Sequence, residues 1–396
     1  MALFPRSLAR FLTAVLALAF LVVACTKPPV PKPETVVLTP VTFGLLPGWR
    51  ADRQGEALVA LRKSCVSPKP GRIDATPPVA ILAADWAGPC QAAQGLDIAD
   101  DAAVRAFFER WFRPYRVANG DRTTGLFTGY FEAELRGARQ KDGRYTVPLY
   151  RLPDDHVTVD LSKFDPSLAG KRIVGRVESG RLEPYYARGD IDGGALSGKV
   201  QELIWVDDAI DVFVLHVQGS GRVILPDGNV VRIGYAGNNG LPYRSIGREL
   251  IDRGALPAGG ASWGDIRRWI ETNRDQAAAL LAVNPRYIFF REVEGDGPIG
   301  AAGVALTPRR SLAVDPRFVP YGAPVWLDTN WPNAPEKPLR RLMIAQDTGS
   351  AIRGPIRGDF FWGYGAEALS FAGRMKSQGA YFLLLPRAAV ERMTGS

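Results

Sequence analysis

One segment of this sequence combines residue types that could carry acid–base chemistry: Arg357-Gly358-Asp359-Phe360-Phe361-Trp362-Gly363-Tyr364-Gly365, a single carboxylate among glycines and aromatic rings. Aromatic faces are apolar platforms for the C–H faces of sugar rings, and low-dielectric surroundings raise a carboxyl pKa. A carboxyl that keeps its proton near neutral pH suits a general acid acting on a glycosidic oxygen. Asp359 is therefore a candidate catalytic acid and Trp362 a candidate sugar contact. The plainer alternative is a glycine turn between strands, its rings filling a core and Asp359 solvated at the tip.

Asp347-Thr348-Gly349, after Leu342-Met343-Ile344-Ala345, has the triplet of aspartic proteases. In that chemistry two carboxylates share a proton, so a protease would need a second copy of the triplet or a homodimer. This chain has one copy, with polar Gln346 before it. The alternative is a carboxylate accepting hydrogen bonds from the turn that follows. Asp315, in Ser311-Leu312-Ala313-Val314-Asp315-Pro316, fits a strand end before a turn. Thr128-Gly129-Tyr130-Phe131-Glu132 pairs a hydroxyl with an aromatic ring, suiting sugar contact, or reads as an amphipathic strand. Val217-Gln218-Gly219-Ser220-Gly221 could turn backbone N–H groups toward a ligand, or form a tight turn. The only histidines are His156 and His216, and there are three cysteines. No His/Cys metal site and no cofactor is expected, and carboxylates are left to move protons. His216 reads as a packed strand residue.

These groups need a scaffold, and the 396 residues allow two ordinary domains with ample apolar material at 46% hydrophobic. The net charge of +8 is spread out without a Lys/Arg cluster, which argues against nucleic acid and suits a membrane surface or cell-wall polymer. Helical spacing appears at Asp101 to Phe112 and at Ser245 to Arg253. It recurs from the Ser262-Trp263-Gly264-Asp265 capping box through Ile270, and from Asp275 to Val283. Most other segments read as strands: Asp211 to Val217, Arg222 to Leu225, Asn229 to Tyr235, Ser311 to Val314, Pro324 to Leu327, Leu342 to Gln346 and Ala380 to Leu385. Pro226-Asp227-Gly228 is a hairpin signal. The chain is thus expected to be mainly β with a few helices.

Arg6 and Arg10 precede an apolar run from Phe11 to Val23, followed by Ala24-Cys25. This is a secretory signal too short for a comfortable membrane span. Its end, Val22-Val23-Ala24-Cys25, resembles a bacterial lipobox, which implies cleavage before Cys25, lipidation of its sulfur and a membrane anchor. Thr26 points, by the same analogy, to the outer membrane facing the periplasm of a Gram-negative bacterium. Residues Thr26 to Pro40 hold five prolines and suit an extended tether. Cys65 and Cys90 then remain as an even pair in an oxidising compartment, either bridged or as two buried thiols.

Taken together, Gln346-Asp347-Thr348-Gly349-Ser350-Ala351-Ile352-Arg353-Gly354 with Asp359, and Ser311 to Asp315 upstream, resemble the three-aspartate domain of the membrane-bound lytic transglycosylase A family. Thr128 to Phe131, Pro148-Leu149-Tyr150-Arg151, Val217 to Gly221 and Tyr235-Ala236-Gly237-Asn238-Asn239-Gly240 through Gly247 resemble its other blocks, in order, over residues 120 to 390. The resemblance implies a signal peptide at 1–24 and a lipid-anchored linker at 25–45. It implies a double-psi β-barrel domain from 46–131 plus 294–390, and an inserted, mostly β domain at 132–293 that completes a glycan groove. It further implies Asp359 as catalytic acid/base, with Asp347 the second candidate because Pro355 to Gly358 is one residue longer than the family pattern. Asp315, Thr128, Tyr130, Gln218, Gly219, Ser220 and Trp362 become substrate contacts. Implied partners are peptidoglycan glycan strands and the membrane, with cell-wall synthesis or divisome proteins as candidates. The implied reaction cleaves the bond between N-acetylmuramic acid and N-acetylglucosamine and closes a 1,6-anhydro ring. A retropepsin-like protease on Asp347 and a non-catalytic glycan-binding barrel are the competing readings.

Overall fold

The computed structural model describes residues 36–66, 68–75, 78–258, 261–295 and 297–394. Cys25, the signal segment and the first part of the tether lie outside the described residues. Val36–Pro40, expected to continue the tether, is instead a strand paired antiparallel with Phe112–Asn119. Its apolar Val36 is buried, and its proline falls at the end of an edge strand, where a missing N–H costs nothing.

Six strands frame the candidate aspartates: β1 (Gly125–Ala138), β2 (Ser311–Val314), β3 (Pro324–Trp331), β4 (Ala334–Asp347), β5 (Arg357–Tyr364) and β6 (Lys376–Pro386). Strand β5 pairs parallel with β1 and antiparallel with β2, and β2 pairs parallel with β4. Antiparallel pairings then run from β4 to β3, from β3 to β6, and from β6 back to β1 over Lys376–Gly379. These strands belong to a thirteen-stranded sheet. The second half of β1 carries the sheet onward, parallel to Ser220–Ile224, which continues through Val230–Asn238 to Ile288–Glu292. Along β1 the odd positions Phe127, Phe131, Ala133 and Leu135 are buried in the main core, while Thr128, Tyr130, Glu134 and Arg136 face a more open side. That alternation is the period-two signature of a sheet with one packed face.

Helix α1 (Gly55–Cys65) lies against this sheet and is tied to it by polar groups as well as apolar ones. Arg310, just before β2, is buried and pairs with Asp52 at 2.7 Å and Glu56 at 2.9 Å. Gln346 on β4 donates to the Ala60 carbonyl and Ser64 hydroxyl and accepts from Ser311. Cys65 and Cys90 form a disulfide that joins the end of α1 to the helix Ala87–Gln94.

Two secondary-structure expectations need correction. Residues read as the strand Asp211 to Val217 form helix α2 (Ala209–Gln218), so His216 is helical. Val212 to His216 are all buried, so neither period stands out in the apolar pattern, and the β-branched valines favoured a strand reading. The decisive signals are the ends: Asp208 caps the Ile210 and Asp211 N–H groups, and Gly219 takes the left-handed conformation at φ 80°. Helices are also more numerous than the sequence patterns predict, with α1, Ala87–Gln94, α3 (Gly365–Arg374) and Arg387–Thr394 in addition. The helix expected from Asp275 begins as a 3-10 turn and covers Ala277–Ala282. Among the described residues no helix is long and apolar enough to cross a membrane.

Candidate active site

Register across the sheet assembles the site. Asp347 on β4 is level with Ala313 on β2, Ala313 with Asp359 on β5, Asp359 with Thr128 on β1, and Thr128 with Lys376 on β6. Residues level with one another in a sheet project to the same side, so both carboxylates and the threonine share one face. One strand separates Asp347 from Asp359, placing their backbones roughly 10 Å apart. The intervening residue is alanine, the smallest side chain that leaves space between the two carboxylates.

Asp359 is half-buried, and burial is the main reason its carboxyl is pushed up to about 6. The Thr128 hydroxyl, which donates to Asp359 Oδ1 at 2.6 Å, pulls the value down. The Arg357 guanidinium pulls the same way and the Asp347 charge pushes back up. Arg357 donates to Thr128 Oγ1 at 2.7 Å, so a chain of two hydrogen bonds runs from guanidinium to hydroxyl to carboxylate. A carboxyl titrating near 6 is partly protonated at neutral pH and can both give and take a proton. His216 cannot share this work. It is buried on α2, accepts the Ile288 N–H at Nδ1, and burial holds its pKa well below the ordinary imidazole range.

Asp347 Oδ1 accepts the N–H groups of Ala301 and Thr348, each at 2.9 Å, an anchoring role for its carboxylate. Burial nevertheless raises its pKa. The Tyr130 hydroxyl is buried close to Asp347 but outside regular hydrogen-bond geometry. Its pKa is raised chiefly by burial, then by the charges of Asp347 and Asp359. Asp315 differs from both. Its buried carboxylate pairs with Arg317 at 2.6 Å and accepts the Gly354 N–H at 2.9 Å, and despite burial these partners hold its pKa below the usual range. It fastens the loop between β4 and β5, and with its lone pairs engaged inside the protein it is poorly suited to touch a substrate.

The remaining sequence candidates divide. Gln218 Oε1 accepts the Phe131 N–H at 3.1 Å, which brings the Gln218-Gly219-Ser220 corner against the strand that carries Thr128 and Tyr130. Trp362 is placed elsewhere. It is 3% exposed and packs between Phe360 at 4.4 Å and Phe371 at 4.6 Å, so its ring offers no platform to a sugar. It sits on the opposite face of β5 from Asp359, as the alternation of that strand requires. Arg357 was missed as a site residue, although its spacing of two from Asp359 on a strand was a legible signal. The Ala301 N–H and Ala313 carried no such signal. Among the described residues no group of His, Cys, Asp and Glu is arranged to hold a metal ion.

Fold and site together define a mainly β protein in which neighbouring strands bring two aspartates with burial-raised pKa values, Asp347 and Asp359, onto one face. Residues 126–291 match the model of the MltA specific insert domain and residues 310–385 that of the 3D domain. The chain is 33% identical over 265 residues to membrane-bound lytic murein transglycosylase A of Escherichia coli K12 and spans 65% of that relative's length as well as 65% of its own. A crystal structure of a membrane-bound lytic murein transglycosylase from Agrobacterium tumefaciens is 35% identical, with 90% of this chain and 99% of that one covered, at a TM-score of 0.78. The crystal structure of E. coli MltA with bound chitohexaose covers 90% of this chain and 95% of that one, at 26% identity and a TM-score of 0.65. The chain belongs to the MltA family of lytic murein transglycosylases.

Proposed function

We propose that this protein is a lytic transglycosylase that cleaves the β-1,4 bond between N-acetylmuramic acid and N-acetylglucosamine in peptidoglycan, with Asp359 as its single acid/base. The observation that carries this reading is the placement of Asp359, level with Thr128 on the neighbouring strand and hydrogen-bonded by its hydroxyl, in surroundings whose burial pushes the carboxyl pKa up to about 6. Protonated Asp359 gives its proton to the glycosidic oxygen, the bond to the anomeric carbon breaks, and positive charge develops there. The C6 hydroxyl of the same muramyl residue attacks that carbon, and the Asp359 carboxylate takes the hydroxyl proton. The ring closes as a 1,6-anhydro sugar, and the aspartate ends as it began. Intramolecular attack has effective molarities of up to ~10⁵–10⁸ M, which favours the C6 hydroxyl over water.

Thr128 and Arg357 orient Asp359, and Asp347 and Tyr130 set the field around it. In this reading the β1–β6 strands form the double-psi barrel of a domain comprising residues 46–131 and 294–390, and residues 132–293 form the insert that walls the glycan groove. The cycle of pairings among those six strands supports the first part, and the family match over 126–291 supports the second. The sulfur of Cys25 carries the lipid that holds the protein to the periplasmic face of the outer membrane, and Cys25→Ala protein would leave the membrane fraction with its chemistry intact.

Digestion of sacculi with protein lacking residues up to Cys25, followed by mass analysis, tests the reaction. Products one water lighter than hydrolytic muropeptides are expected. Reducing ends would make the protein a hydrolase, and undigested glycan would leave a binding module.

A further inference from the structure

The face that carries Asp359 continues past it, and a bulge in β5 decides what is presented there. Phe361 is level with Tyr130, but the next pairing joins Tyr364 to Glu132, so three residues of β5 span two of β1. The surplus is absorbed beside Gly363, whose φ of 100° is open to glycine. One extra residue reverses the alternation, which turns Tyr364 onto the face of Asp359, Thr128 and Tyr130 instead of the packed face of Trp362. Tyr364 is 54% exposed. One side of its ring is covered by the Arg222 guanidinium, 3.9 Å from the ring centroid.

Arg222 is itself held in place, with Glu132 at 3.7 Å and Glu134 at 3.8 Å. Arg232 donates to the buried Glu132 at 2.7 Å. Two arginines against two glutamates leave little net charge, so the patch has no claim on an anionic group such as a peptide carboxylate. It offers one immobilised aromatic face, open to solvent, and a neutral ligand with an axial C–H surface is what such a face accepts. The four residue steps along β1 from Thr128 to Glu132 set it about 13 Å from Asp359 along the strands, beyond the sugars at the scissile bond.

Building on the glycan-cleaving reading above, we propose that Tyr364, seated on Arg222, is a stacking platform for a pyranose ring remote from the cleavage point, through which the enzyme senses the length of the bound strand. Binding to protein carrying Asp359→Asn, which removes turnover, tests this by calorimetry with chitohexaose and chitobiose. Tyr364→Ala is expected to weaken chitohexaose about three- to tenfold and to shrink the hexamer-to-dimer affinity ratio accordingly. Tyr364→Phe is expected to keep that ratio, because the ring and not the hydroxyl makes the contact. An unchanged ratio in Tyr364→Ala, or an equal loss in Tyr364→Phe, overturns the platform alone. Failure of the Asp359→Asn protein with Tyr364 intact to bind chitohexaose overturns the glycan reading itself, and the platform with it.

Discussion

Thr128 and Asp359 meet across neighbouring parallel strands, the hydroxyl donating to Oδ1 of the carboxylate at 2.6 Å while it accepts from Arg357 at 2.7 Å. The bond orients Asp359 and engages one of its two carboxylate oxygens. It also opposes the effect of burial, which pushes the carboxyl up to about 6. Each prediction below follows from this balance or from the structure that maintains it.

Replacing Asp359 with Asn keeps the shape and removes the transferable proton. Turnover of sacculi is expected to fall by at least ~10²–10⁴, the usual worth of a general acid. Binding of glycan should persist. Product release followed by mass spectrometry reads the first effect, and a rate close to that of the unaltered protein would move the acid elsewhere.

The same substitution has a signed effect on stability. Because the folded pKa of Asp359 is raised from 3.8 to about 6, the charged carboxylate destabilises the fold above that range. As pH falls from 6 toward 4, the folded state takes up the proton before the unfolded state does, and the penalty disappears. Asp359→Asn protein should therefore unfold at a higher temperature than the unaltered protein at pH 7.5, with the gap closing by about pH 4. The activity of the unaltered protein should decline as pH rises through about 6, since its acid form is then depleted. Thermal melts and pH–rate profiles on the same samples check both.

Thr128→Val deletes the donor to Asp359 and the acceptor for Arg357. The carboxyl loses a group that holds its pKa down, so the alkaline limb of the pH–rate profile is expected to move to higher pH. Stability should drop by about 1–2 kcal/mol for the lost charge-assisted bond. A purely structural role for Thr128 would lower stability and leave the profile where it was.

Asp315→Asn tests the division of labour among the aspartates. It breaks an ion pair whose carboxylate is buried, so a loss of up to about 3 kcal/mol is expected, below the full cost of a wholly buried pair because Arg317 is half exposed. Since the folded pKa of Asp315 is lowered, its contribution is present above about pH 4 and is lost as pH falls below that. Folded Asp315→Asn protein should retain far more activity than Asp359→Asn protein, as specific rates at 20 °C would show.

Reduction of the Cys65–Cys90 bond should destabilise without touching the chemistry. The cysteines are 25 residues apart, and a loop of that size corresponds to about 3 kcal/mol in the chain-entropy model. A lower melting temperature in dithiothreitol is expected, with the initial rate on sacculi unchanged well below the melt.

Local signals in the chain were readable where they were chemically specific. The Ser262 capping box and the Pro226-Asp227-Gly228 hairpin both form as expected, because each depends on residues within a turn of one another. Segments buried on every side were not readable in this way. Helix α2 hides its period behind apolar residues at consecutive positions, and α1 is stabilised largely by what it packs against. At the site, the aspartates could be chosen from residue types, but their roles could not. Asp315, Asp347 and Asp359 look alike in sequence, and only their partners separate an ion-paired anchor, a backbone-bonded carboxylate and a carboxyl titrating near 6. Trp362 and Tyr364 show the same limit, since one bulged residue separates two rings that simple alternation would put on one face, leaving Trp362 buried and Tyr364 open.

The sequence by itself determined the reagents of this protein: a carboxylate among aromatic rings, a dearth of histidine, an even cysteine pair and the ordered blocks that mark its family. Only the tertiary structure decided which carboxyls have their pKa raised and which has it lowered. A pKa depends on burial and on groups within a few ångströms, and Thr128 reaches Asp359 from 231 positions away in the chain through the pairing of two parallel strands.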